Sequence, residues 1–67
     1  MLLTAILSLA EEGGYIALNP ETGTTTKGET VDEAIANLKE ATSLYLEELP
    51  MTFNIHPLVT TFDVTQA

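Results

Sequence analysis

Cysteine, tryptophan and arginine are absent from this chain of 67 residues, and it holds one histidine and two lysines. Without cysteine there are no disulfides and no thiolate metal sites. One histidine, His56, excludes a histidine cluster. Only two cations stand against ten acids, a net charge of −8. Such a chain repels phosphate backbones, which argues against direct nucleic-acid binding. An acidic surface suits a basic partner, because complementary charge speeds encounter and selects partners. The apolar opening at residues 1–10 has no basic flank and ends in Glu11-Glu12, so it does not read as a signal peptide. No stretch approaches the roughly 20 apolar residues of a membrane span. A cytoplasmic protein without a membrane partner is expected. Its length allows one domain, residues 1–67. A core of that size stabilises by only about 3–5 kcal/mol, so association with itself or another protein is the remaining route to stability.

What is present is well punctuated. Residues 2–9 read as a strand, with Leu3, Ala5, Leu7 and Leu9 toward the core and Leu2, Thr4, Ile6 and Ser8 on a mixed face. Glu11-Glu12-Gly13-Gly14 is a turn, and residues 15–18 form the return strand. Asn19-Pro20-Glu21-Thr22-Gly23 is a second turn, followed by a short strand over 24–27. Thr30-x-x-Glu33 is a capping box that starts a helix, with Asp32 and Glu33 placed where the helix dipole favours negative charge. The helix runs over about 31–48. Its apolar stripe is Val31, Ala34, Ile35, Leu38, Ala41, Tyr45 and Leu49, and Leu44 falls off it. Pro50 marks the stop. Residues 51–57 form an irregular connection. Residues 58–64 alternate as a final strand, with Leu58, Thr60, Phe62 and Val64 inward. The expectation is an α+β domain of order β-β-β-α-β: an antiparallel three-stranded meander, one helix packed on one face, and a fourth strand joining the sheet.

The ordered set Gly13-Gly14-Tyr15-Ile16-Ala17, Pro20-Glu21, Gly23, Lys27-Gly28-Glu29-Thr30-Val31-Asp32-Glu33-Ala34, Asn37-Leu38-Lys39-Glu40-Ala41 and Leu44-Tyr45-Leu46-Glu47 resembles the HicB antitoxin family over residues 12–48. The resemblance implies a reduced ribonuclease-H-like β-β-β-α-β unit. It also implies a role in a toxin–antitoxin system, as a non-enzymatic protein that covers the active site of a small basic HicA-like toxin. That toxin has a double-stranded-RNA-binding-domain fold and cleaves messenger RNA with a histidine. Many members carry an additional DNA-binding domain, which is not expected in residues 1–67. The loop Pro20-Glu21-Thr22-Gly23-Thr24 is one residue shorter than the family's and has neither its second proline nor its cysteine.

No catalytic chemistry is legible. A ribonuclease-H-type site needs several carboxylates converging on metals about 4 Å apart, and the expected strands contain one acid, Asp63. His56, beside Pro57, reads as structural or solvent-facing. No catalytic residue, cofactor or metal is expected. For a binding surface the candidates are Glu11, Glu12, Tyr15, Pro20, Glu21 and Leu44. The partners expected are the basic toxin and further copies of the chain, as a dimer or tetramer. The alternative is an orphan self-associating interaction module without a toxin, suggested by the small core and the apolar residues Leu2, Ile6 and Val59 on the second sheet face.

Overall fold

A computed structural model describes residues 1–51 and 56–66. Three strands precede one helix: β1 (Ile6–Leu9), β2 (Tyr15–Asn19), β3 (Thr24–Gly28) and α1 (Val31–Glu48). The sheet is an antiparallel meander in the order β1-β2-β3. Leu7 lies opposite Ala17, which lies opposite Thr26; this row faces α1. Ile6, Leu18 and Thr25 form a row on the other face, and Ser8, Ile16 and Lys27 form a second. The meander and the covering helix are as the sequence predicts, with the helix ending at the expected residue.

The core is small because its central residues are small. Ala17, Ala34 and Leu38 are buried, and Leu7 and Tyr15 pack against them. Alanine on both sides brings α1 close to the sheet, and two polar ties hold it there. Thr26 Oγ1 donates to the Ala34 carbonyl at 3.0 Å. Asn37 Nδ2 donates to the Lys27 carbonyl at 2.7 Å. Gly28 makes the approach sterically feasible, since a Cβ there would lie 2.8 Å from both Ala34 Cα and the Glu33 carbonyl carbon.

The helix starts where the sequence places it. Thr30 is the N-cap in extended conformation, and its side chain accepts from the Glu33 N–H at 3.1 Å. Thr30→Ala is expected to destabilise the fold by about 1 kcal/mol. Urea titration checks this, and an unchanged midpoint would mean that the cap is worth nothing here.

Three expectations need correction. Regular strand begins only at Ile6, and Leu9 is 77% exposed, although both the alternation and the pattern had placed it inward with Leu3 and Ala5. The cause is lateral placement, because α1 packs mainly on β3 and β2 and leaves the Leu9 end of β1 uncovered. Tyr45 and Leu49 continue the apolar stripe in phase, yet they are 38% and 58% exposed, while Thr42 is buried. The helix outruns the sheet: eighteen residues at about 1.5 Å each cover about 27 Å, whereas a five-residue strand spans about 17 Å. Buried Thr42 is satisfied locally, donating to the Leu38 carbonyl at 2.8 Å.

The third correction concerns the fourth strand. Residues 58–66 belong to no strand and are exposed throughout. Their alternation has no paired edge to act on, so Leu58 and Phe62, expected inward, stand 93% and 84% exposed. The irregular connection expected over 51–57 falls mostly on 52–55, outside the described residues. No helix among the described residues is long and apolar enough to cross a membrane.

Candidate functional site

The meander separates the candidate residues into two groups at opposite ends of β2. At one end lies the β1–β2 turn with Glu11 and Glu12. It is closed by hydrogen bonds from the Gly13 N–H to the Ala10 carbonyl and from the Ala10 N–H to the Gly14 carbonyl, both 3.1 Å. Gly14 has φ +79° and runs so close to β3 that a Cβ would stand 2.7 Å from the Gly28 carbonyl oxygen. That contact ties the turn to the start of α1. Tyr15, paired with Leu9 and Gly28, lies at the same end and packs against the core.

This end is acidic and concave. A hollow of about 350 Å³ is lined by Glu12, Gly13, Lys27, Gly28, Glu29 and Glu33. Lys27 Nζ meets Glu12 Oε1 at 2.6 Å, so one of its acids is neutralised internally. The hydrogen bond from that ammonium, with a backbone hydrogen bond and the charge attraction, lowers the Glu12 pKa below the ordinary value. Among the described residues Glu29 and Glu33 form no ion pair, and in sequence Glu11 adjoins Glu12 and Asp32 adjoins Glu33. The N-terminus of α1 would favour an anion, but carboxylates already crowd it. The arrangement therefore favours lysine or arginine side chains over phosphate.

The opposite end is a closed polar knot rather than a surface. Asn19 is fully buried at the end of β2. Its Oδ1 accepts from the Thr22 N–H at 2.9 Å and from the Thr22 hydroxyl at 2.6 Å, which shapes the Pro20–Gly23 turn. Its Nδ2 donates to the Thr4 carbonyl at 2.7 Å and also to Glu21 Oε1. Glu21 accepts from the Thr4 N–H at 3.0 Å and from the Thr4 hydroxyl at 2.8 Å. Its side chain is only 2% exposed. Burial pushes its pKa up, but the hydrogen bonds from Thr4 and from its own backbone N–H together outweigh that effect. With help from His56, whose Nδ1 lies 3.3 Å away, they bring it down to about 2. Glu21 thus fastens the segment before β1 to the β2–β3 turn.

The six candidates do not form one patch. Glu11, Glu12 and Tyr15 share the acidic end; Pro20 and Glu21 share the knot, about 17 Å away along β2. Leu44 stands exposed on α1. It lies two residues past buried Thr42, about 200° round the helix, so it faces away from the sheet. Sequence reasoning missed Thr4, Asn19 and Thr22. The Asn19-Pro20-x-Thr22 spacing was the available signal, because asparagine side chains bond to backbone a few residues on. Among the described residues no three of His, Asp and Glu are grouped to hold a metal ion.

Comparison with known proteins gives one informative likeness. The chain is 49% identical over 47 residues to a UPF0150 protein of Synechocystis sp.. The match takes in 69% of this chain and 65% of that relative, so the chain spans just under two thirds of the relative's length. No protein-family model matches the chain, and no solved structure matches it. At this identity the chain is a homologue of that UPF0150 protein.

Proposed function

We propose that this chain is a HicB-like antitoxin domain that binds a small basic ribonuclease toxin and covers its active site, without enzymatic activity of its own. The observation that carries this reading is the ordered residue set over 12–48, supported by the β-β-β-α order. Charge supports it further. The acidic hollow between the β1–β2 turn and the start of α1 offers carboxylates to a cationic partner. It is held in shape by the Gly14–Gly28 approach and the Thr30 cap. Glu11, Glu12, Glu29 and Glu33 would steer a basic protein, and Tyr15 would lie beneath that contact. Pro20 and Leu44 lie elsewhere, and Glu21 serves the fold first.

Co-expression with the neighbouring reading frame tests the proposal. The neighbour alone should arrest growth, and the pair should grow and co-purify. The double variant Glu11→Lys, Glu12→Lys should weaken the complex by tenfold or more. Most of that loss should be in association rate, and it should shrink as salt rises. Calorimetry at two ionic strengths checks this. A neighbour that is neither basic nor toxic, or affinity unmoved by the charge reversal, would contradict it.

A further inference from the structure

We propose that residues 58–64 of one copy add as a strand along the free edge of β1 in a second copy, reciprocally, giving a strand-exchanged dimer. Three observations on different parts of the chain meet in this arrangement.

The first is the donor segment. Leu58, Phe62 and Val64 are 93%, 84% and 70% exposed, with Val59 exposed between them. The stretch alternates as a strand should, carries one charge, Asp63, and is paired with nothing in its own sheet. A large apolar stretch left in water marks an interaction site.

The second is the acceptor. β1 and β3 are the edges of the sheet, and they differ. β3 carries Lys27, a charge that blunts an edge, and its Thr26 hydroxyl and Lys27 carbonyl are already engaged with α1. β1 is Ile-Leu-Ser-Leu, with no charged residue in positions 1–10. On the helix side it is flanked by a step, because α1 packs mainly on β3 and β2. Asn37 points to β3, and Ile35 lies about 200° round α1 from it. Partly exposed Ile35 therefore overlooks β1, where Leu9 is also uncovered. An added strand would place its inward residues in that step.

The third is charge. Two copies of net charge −8 repel each other. Contact is least opposed where both surfaces are uncharged, and residues 1–10 and 58–62 are two such stretches. Each copy presents both an open edge and an unpaired segment with strand alternation, so a two-fold arrangement satisfies both at once. His56, held at Glu21 beside Thr4, sets residues 58–64 off from the end of the sheet at which β1 begins. This inference stands apart from the toxin-binding reading, and either holds if the other fails.

Sedimentation velocity of the full chain across concentrations tests it, together with intermolecular NMR contacts in a mixture of isotope-labelled and unlabelled chains. The expected particle has twice the 7.2 kDa chain mass. Contacts should run from residues 58–64 of one copy to β1 of the other. Phe62→Asp should raise the dissociation constant at least tenfold while leaving the far-UV circular dichroism of the body unchanged, because Phe62 touches no core residue. A monomer at every concentration, a dimer indifferent to Phe62→Asp, or contacts confined within single chains would overturn the proposal.

Discussion

Gly28→Ala is expected to destabilise the protein by about 3 kcal/mol, a large share of the stability of a chain this small. The added methyl would stand 2.8 Å from Ala34 Cα and from the Glu33 carbonyl carbon, and these are backbone atoms that cannot rotate aside. Relief requires lifting the first turn of α1 from the sheet. That would separate Ala34 from Ala17 and strain the Thr26–Ala34 and Asn37–Lys27 hydrogen bonds. Thermal unfolding by circular dichroism is the check. A melting temperature within a degree or two of the parent would show that the helix does not sit this close.

Glu21→Ala should cost a comparable amount, about 3 kcal/mol, for a different reason. Its carboxylate accepts from the Thr4 N–H, the Thr4 hydroxyl and Asn19 Nδ2. Removing it strands donors next to fully buried Asn19, and hydrogen bonds to a charged group are worth about 1.5–3 kcal/mol each. The same network predicts a pH dependence. The folded-state pKa of Glu21 is lowered from the ordinary 4.5 to about 2. Its ionised form therefore contributes its full stabilisation above pH 4.5, and the contribution is lost as pH falls toward 2. Glu21→Gln, which cannot ionise, should be less stable than the parent at neutral pH. Its deficit should shrink across that acid window. Urea midpoints of the two proteins at several pH values measure this. A deficit that stays constant down to the lowest pH would show that the carboxylate is not ionised in the knot.

The parts of the fold that depend on local chemistry were legible in the residues. Gly13-Gly14 and Pro20–Gly23 mark their turns through backbone freedom and side-chain-to-backbone bonds. Thr30 and Glu33 mark the start of α1, and Pro50 its end. What depends on lateral packing was not legible. Tyr45 is in phase with Leu38, but phase does not say that the sheet ends first. Leu9 alternates correctly with Leu7, but alternation does not say that α1 lies over the other two strands. Residues 58–64 carry a strand pattern, yet they pair with no strand of the sheet, and alternation alone does not say which edge a strand meets. Glu21 reads as a surface turn acid, because nothing local reveals that Thr4, fifteen residues before Asn19, closes over it. The candidate surface followed the same division. Glu11 and Glu12 were placed by their turn, whereas the hollow that Glu12 shares with Glu29 and Glu33 arises from the approach of Gly14 to Gly28.

The acidic end of this chain is proposed to bind a small basic toxin. The most direct measurement is growth with the neighbouring reading frame expressed alone, with this chain, and with its Glu11→Lys, Glu12→Lys variant. Arrest by the neighbour, rescue by this chain and weakened rescue by the variant are the predicted results. No arrest, or equal rescue by both forms, would contradict it.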